Sequence, residues 1–159
     1  MFAKPQAEHQ WLDQLVGEWT AESECVMGPD QPPMKGTGKV HGRSLGGMWC
    51  VLEMESEGPN GEMGTMIMTL GYDPTKGKFV GSFVGSMMAN QWIYEGTLDD
   101  TRRKLTLDTT GPKFDQSGLT QYQDMVEVVG PDQWILSSQV MGDDGKWTPF
   151  MTANHRRVS

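Results

Sequence analysis

The sequence predicts an all-β protein, an antiparallel up-and-down β-barrel of about ten strands with a short N-terminal helix closing one end. Three observations lead to this fold class. Polar residues alternate with small or apolar ones from residue 19 onward. Nine turn signals recur along the chain, and nine turns separate ten strands. The connections are too short for crossover helices, which excludes a parallel sheet and makes neighbouring strands antiparallel.

The helix is predicted over about residues 6–16. Pro5 suits the first turn of a helix, and Gly17 suits its C-terminal end. Four apolar residues between them share one helical face: Trp11, Leu12, Leu15 and Val16. The rest of the chain, about 17–158, is predicted to form the barrel, so that residues 1–159 make a single domain.

The first strand begins at Trp19, where helical spacing gives way to alternation. Its small or aromatic residues are predicted to face inward: Trp19, Ala21, Ser23 and Cys25. The turns that follow carry Gly, Pro, Asn or Asp and lie at 28–33, 45–47, 58–62, 73–77, 87–91, 99–104, 110–118, 130–133 and 142–146. The segments between these turns are the remaining predicted strands.

Closure of the barrel is predicted because ten twisted strands would otherwise leave two long unpaired edges. In a closed barrel the first and last strands are neighbours, and antiparallel pairing brings Trp19 and Arg157 to the same end. We expect Gly17 to allow the turn that points the Trp19 indole inward, and the Arg157 guanidinium to stack on that indole. Arg156 is the alternative partner if the strand parity differs by one residue.

The composition argues against several classes of partner. The formal net charge of −8 and the pI of about 4.8 disfavour nucleic acid. No stretch approaches the ~20 apolar residues of a membrane span, and the first residues lack the apolar run of a signal peptide. Two cysteines without metal-ligand spacing suit free thiols in the cytoplasm. The composition leaves a homodimer open.

The barrel interior is the predicted binding site for a small, largely apolar molecule. Barrels of this kind can hold one small ligand, and the 13 methionines supply soft, adaptable thioethers. Strand parity and the surplus of Met and Trp select the expected lining: Trp19, Met48, Leu52, Met66, Met68, Phe79, Phe83, Trp92, Tyr94 and Met151. In the alternative, such side chains fill the interior and the barrel is a structural or interaction module without a ligand.

Several short motifs resemble those of known families. The early Gly-x-Trp and the late Arg are similar to the shared signature of the lipocalin and fatty-acid-binding-protein superfamily. The series LVGEW, GGMW, LGYD, GTLD and RRV resembles a bacterial family, domain of unknown function 1579, over roughly residues 8–158. This resemblance implies a lipocalin-like barrel with no established activity.

A more distant resemblance concerns His155. The chain is similar to nitrobindin, a haem-binding barrel whose iron is held by a histidine on the last strand, and His155 lies in a comparable place. The resemblance implies haem as an alternative cofactor, with His155 as its iron ligand. A hydrogen-bonded or solvated histidine near a chain end is the interpretation that we favour, and we otherwise expect no cofactor.

The favoured function is therefore that of a non-enzymatic, cytoplasmic, lipocalin-like protein that binds a small apolar ligand. The sequence offers no nucleophile, metal set or acid–base pair, so we predict no catalytic residues. An enzyme of unknown class nevertheless stays open, because one fold can host many activities.

Overall fold

The computed structural model describes residues 2–28 and 30–159. One short helix, α1 (Ala7–Trp11), continues as a 3-10 helix (Leu12–Leu15). Ten strands follow: β1 Gly17–Cys25, β2 Met34–Leu45, β3 Trp49–Glu57, β4 Met63–Asp73, β5 Lys78–Gly85, β6 Trp92–Leu98, β7 Lys104–Pro112, β8 Leu119–Gly130, β9 Gln133–Met141 and β10 Trp147–Arg157. The first predicted turn includes Pro29, which lies outside the described residues.

The strands form a closed antiparallel barrel, as predicted. Each strand pairs with its neighbours in sequence, and β1 pairs with β10 to complete the ring. The prediction of a ten-stranded up-and-down barrel is thereby confirmed. No helix in the described part of the chain combines the length and apolar character needed to cross a bilayer.

A buried histidine, His9, connects the N-terminal segment to the barrel by hydrogen bonds. No role for His9 was predicted from the sequence. The backbone N–H of Gln6 donates to Nδ1 of His9 at 2.9 Å, so Nε2 carries the proton and donates to the carbonyl oxygen of Tyr72 at 3.0 Å. The indole N–H of Trp11 donates to the carbonyl oxygen of Arg102 at 2.6 Å. These bonds hold the helix across one end of the barrel.

The two ends of the barrel differ in what covers them. The helix end carries the N-terminal segment and the short connections 46–48, 74–77, 99–103 and 131–132. The opposite end, here called the mouth, carries the β1–β2 connection and the loops 58–62, 86–91, 113–118 and 142–146. Each predicted turn coincides with one of these connections or overlaps it.

The hydrophobic core lies in the half of the barrel next to the helix. Its innermost side chains are 0–2 % exposed and come from the helical segment and from eight strands: Leu12, Leu15, Trp19, Cys50, Leu52, Met68, Leu70, Phe79, Tyr94, Leu105, Leu107, Val126 and Trp134. At roughly 1.5–3 kcal/mol for each large apolar side chain, their burial is the main stabilising contribution. The helix half is therefore packed.

Candidate functional site

The seam between β1 and β10 is held by Trp19 and Arg157. The register places these residues opposite each other, with Cζ of Arg157 4.2 Å from the centroid of the Trp19 ring. Arg157 also donates from Nε to the carbonyl oxygen of Pro131 and from Nη1 to that of Val16, both at 2.9 Å. The indole N–H of Trp19 donates to the Leu15 carbonyl oxygen at 3.0 Å. These contacts seal the helix end against solvent.

Gly17 is required where the chain enters this seam. Its φ of 133° is one that side-chain-bearing residues rarely adopt. A Cβ at this position would collide with the Arg157 guanidinium and lie 2.8 Å from the carbonyl oxygen of Ser159. Arg156, the alternative partner by parity, is exposed on the outer face.

The residues expected to line the lumen divide into three groups. Five of them are part of the packed core and fill the interior: Trp19, Leu52, Met68, Phe79 and Tyr94. Four are half-buried at the margin of this core, toward the mouth: Met66, Phe83, Trp92 and Met151. Met48 requires correction, because it lies in the 46–48 turn at the helix end, before β3 begins at Trp49.

The expected lining residues that are not fully buried, Met66, Phe83, Trp92 and Met151, therefore lie toward the mouth. Met87, from the loop 86–91, is 52 % exposed and lies over two inward-facing glycines. A Cβ on Gly64 would lie 2.8 Å from Cε of Met87, and one on Gly85 would lie 2.5 Å from its Sδ. The indole N–H of Trp92 donates to Sδ of Met88 at 2.9 Å. Two flexible methionines thus partly cover the mouth.

An aromatic cluster that includes Trp92 adjoins these methionines at the mouth. The rings of Trp92 and Tyr122 pack edge to face with centroids 4.9 Å apart, and Phe114 packs on Phe150 at 5.1 Å. Tyr122 and Phe150 join the two pairs at 6.0 Å. The pairing of β10 with β9 shifts between Pro149 and Met151, so Phe150 is the extra residue of a bulge.

A carboxylate that the sequence analysis missed lies below this cluster. Asp124 accepts hydrogen bonds from the hydroxyl of Tyr94 and, at 2.6 Å, from that of Ser138. Burial raises the pKa of Asp124, although both hydrogen bonds act in the opposite direction. Burial, followed by the charge of Asp124, raises the pKa of Tyr94 well above its ordinary value.

The position of Asp124 could have been identified from strand parity. It lies on the same parity of β8 as Tyr122, Val126 and Val128, all of which are buried. One acidic residue among inward-facing apolar residues indicates a buried polar group with a specific partner. The partners themselves come from β6 and β9, and no local pattern identifies them.

A cleft opens on the outer face of the barrel where β6 and β7 separate. The β6–β7 ladder runs from Leu98 and Leu105 to Glu95 and Asp108, after which the strands keep only their other neighbours, β5 and β8. The cleft has a volume of about 680 Å³ and these lining residues: Gln91, Ile93, Glu95, Asp108, Thr109, Thr110, Gln121 and Tyr122. Thr109 is 8 % exposed, and its hydroxyl has no hydrogen-bond partner among the described residues. One residue of the cleft lining, Thr109, therefore carries a buried hydroxyl without a partner among the described residues.

His155 lies in the packed half of the barrel, away from the mouth. It is 2 % exposed and stacks on Trp134, with ring centroids 3.7 Å apart and planes inclined by 2°. Burial lowers the pKa of His155 to about 4, so the ring is neutral at pH 7. An axial haem ligand needs a nitrogen that faces a space large enough for a porphyrin. Nδ1 of His155 has no partner among the described residues, but it is buried where the ring stacks on the core residue Trp134.

We therefore expect that His155 does not ligate haemin. Titration of the purified protein with haemin should give no Soret shift that depends on this residue, because the ring is enclosed. The control is His155→Phe, which keeps an aromatic ring on Trp134. A Soret shift in the wild type that disappears in the variant would contradict this expectation.

No metal-binding cluster accompanies the site in the described part of the chain. Within residues 2–28 and 30–159, no three His, Cys, Asp or Glu side chains are grouped so as to hold a metal ion. Burial, with a smaller effect of the Asp13 charge, raises the pKa of Cys50 to about 12, so this cysteine is a neutral thiol at pH 7. The described site therefore consists of aromatic, thioether, hydroxyl and carboxyl groups.

Comparison with known proteins identifies a family and a fold. A family model described as "Protein of unknown function (DUF1579)" matches residues 4–157. No curated protein matches the sequence. Among solved structures, Rv2717c from M. tuberculosis is similar, with 15 % identity, coverage of 98 % of this chain and 100 % of the other, and a TM-score of 0.72.

Two further structures share the fold. The S-type phycobiliprotein lyase CPES from Guillardia theta has 12 % identity, coverage of 98 % of this chain and 99 % of its own, and a TM-score of 0.65. EF1p2_mFAP2b, solved bound to DFHBI, has 13 % identity, coverage of 95 % and 99 %, and a TM-score of 0.52. Identities this low indicate a common fold.

Proposed function

The chain belongs to the DUF1579 family of proteins of unknown function, and from its geometry we propose that it binds a small, largely apolar molecule in the mouth half of the barrel. The ligand lies among Met66, Phe83, Trp92 and Met151. To enter, it displaces Met87. The helix half is the rigid base of this site.

The proposal rests on one observation: on β4 and β5, inward-facing side chains are fully buried near the helix end and only half-buried toward the mouth. On β5, Phe79 is fully buried near the helix end, whereas Phe83, on the same face, is only half-buried. On β4, Met68 and Met66 differ in the same way. Apolar side chains that face the interior without being fully enclosed are typical of a ligand site.

The alternative of a completely filled barrel accounts less well for the incompletely buried side chains at the mouth. A filled interior would bury Phe83 and Trp92 as fully as Phe79 and would need no movable cover. Met87 and Met88 are instead exposed methionines on a loop, and such side chains adapt to varied apolar shapes. The barrel solved with DFHBI supports the general capacity of this fold to hold a small molecule.

The proposal is tested with the neutral dye N-phenylnaphthylamine, which fluoresces strongly in apolar surroundings. We expect the wild type to increase the dye fluorescence with saturation. Phe83→Ala should weaken binding by about tenfold, since removing one aromatic contact costs on the order of 1–2 kcal/mol. Val84→Ala is the matched control because its side chain faces outward on the same strand.

Two results would contradict the proposal. Absence of saturable fluorescence in the wild type would exclude an accessible apolar site. Equal weakening by Phe83→Ala and Val84→Ala would place the dye outside the mouth. Thermal unfolding of each variant shows that it is folded before its affinity is compared.

A further inference from the structure

Among the described residues, the Asp124 carboxyl group has hydrogen-bond donors but no counterion. Tyr94 and Ser138 donate to its two oxygens, and none of the salt bridges within the described residues includes Asp124. No cation contributes to its pKa. A buried carboxylate held only by neutral donors is costly, and a cation brought to it would be stabilised strongly.

Two aromatic residues occupy the next inward-facing positions toward the mouth. Tyr122 precedes Asp124 by two residues on the inward face of β8, and Trp92 precedes Tyr94 in the same way on β6. Trp92 and Tyr122 pack against each other, so their rings form one aromatic surface on the mouth side of Tyr94 and Asp124. Aromatic faces attract organic cations through their quadrupoles, most strongly where water is excluded.

Two further carboxylates lie at the cleft in the barrel wall. Glu95 and Asp108 face each other across the β6–β7 ladder at its rim. Lys76 and Lys78 pair with Glu95 at 2.9 and 3.9 Å, whereas within residues 2–28 and 30–159 Asp108 has no cationic partner and accepts a hydrogen bond from Nε2 of Gln123 at 2.8 Å. The whole chain has a formal net charge of −8, which favours approach of cations over anions.

The hydroxyl of Thr109 supplies a second, independent indication of a polar ligand group. Thr109 is paired with Tyr122 across the β7–β8 ladder and lines the cleft. Its Oγ1 is buried without a partner among the described residues, although buried hydroxyls are normally hydrogen-bonded. Asp124 pairs with Leu107, two residues before Thr109 on the same inward face of β7, so a ligand N–H bound at Asp124 could also donate to the Thr109 hydroxyl.

We propose that the ligand is a lipophilic amine in its protonated form, with its ammonium group on Asp124 and its apolar body among the aromatic and methionine side chains of the mouth. This inference rests on the proposed function of the mouth half. It also specifies what the site rejects, since a fatty acid would place its carboxylate against that of Asp124. Tyr94 and Ser138 act as positioning residues that orient the Asp124 carboxylate.

The proposal is tested by calorimetric titration with three naphthyl compounds that differ in one substituent: naphthylmethylamine, naphthylmethanol and naphthoate. The wild type is expected to bind the amine at least about tenfold more tightly than the alcohol, since a charge-assisted contact replaces a neutral one. Naphthoate is expected to bind more weakly than the alcohol. This ranking needs no variant and is unaffected by any failure to fold.

Two substitutions locate the charge that produces the ranking. Asp124→Asn keeps the shape of the side chain and should remove the preference for the amine, bringing it within about twofold of the alcohol. Glu127→Gln removes the same formal charge from the outer face of β8 and should retain the preference. Tyr94→Phe should reduce the preference only in part, because Ser138 still orients the carboxylate.

The outcomes separate this inference from the proposed function. If N-phenylnaphthylamine binds but the three naphthyl compounds bind equally, the cation preference is wrong and the apolar site stands. If neither the dye nor any naphthyl compound binds, the proposed function itself is wrong. A preference lost equally in Asp124→Asn and Glu127→Gln would reflect overall charge and overturn the role of Asp124.

Discussion

Trp19→Ala is expected to lower the free energy of unfolding by about 3–5 kcal/mol, the range for truncation of a large buried aromatic side chain. The indole is 2 % exposed and packs edge to face on Trp134 with centroids 6.1 Å apart. Its removal leaves a cavity at the strand pair that closes the barrel. It also takes away the ring that the Arg157 guanidinium covers. Denaturant unfolding of both proteins measures the loss.

Trp49→Ala is the matched control for this prediction. Trp49 is 40 % exposed and lies over Gly71 on the outer face, so its loss should cost about 1 kcal/mol. A double-mutant cycle with Arg157→Ala should give a coupling of roughly 0.5–2 kcal/mol between indole and guanidinium. A loss below about 0.5 kcal/mol for Trp19→Ala would mean that this residue does not close the barrel.

The seam could be predicted from sequence because it depends on local rules and on one topological argument. Alternation and turn residues define the strands, and closure follows from the cost of unpaired edges. Once β1 and β10 are neighbours, antiparallel pairing leaves Arg156 and Arg157 as candidate partners for Trp19. The register selects Arg157. Each of these steps uses only neighbouring residues or neighbouring strands.

The candidate site was less predictable because it depends on depth within the barrel. Parity identifies the inward face, but it does not distinguish Phe79, in the packed half, from Phe83, at the mouth. That distinction arises from the helix, which fills one end only. Met48 was assigned by extending the parity of β3 one step too far, into a turn that begins at two glycines of positive φ, Gly46 and Gly47.

The polar contacts of the site could not be predicted from the sequence for a second reason. Tyr94 and Asp124 lie on strands separated by β7, and their contact spans the barrel interior. Phe150 reaches the aromatic cluster through a bulge that the sequence pattern does not reveal. Such contacts depend on barrel curvature and strand stagger, which a single sequence does not encode in any local signal.

Acidification is expected to destabilise the protein through His155. The folded-state pKa of His155 is lowered from 6.5 to about 4, because burial against Trp134 disfavours the imidazolium. The unfolded chain therefore binds a proton near pH 6.5, whereas the folded chain does so only near pH 4. His155 leaves stability unchanged above pH 7, and it reduces stability progressively as the pH falls from 6.5 to 4. At about 1.4 kcal/mol for each pH unit between the two values, the loss reaches about 3 kcal/mol.

His155→Phe isolates this contribution, because phenylalanine preserves a flat ring against Trp134 and cannot titrate. The raised pKa of Asp124 acts with the opposite sign, since the folded chain then binds a proton at higher pH than the unfolded chain and gains stability on acidification. That effect is common to both proteins and cancels in their difference. The free energy of unfolding of the wild type, measured between pH 7 and 4, should therefore fall more steeply than that of the variant. Parallel curves would show that His155 is protonated equally in the folded and unfolded chains, and would rule out its enclosure in the core.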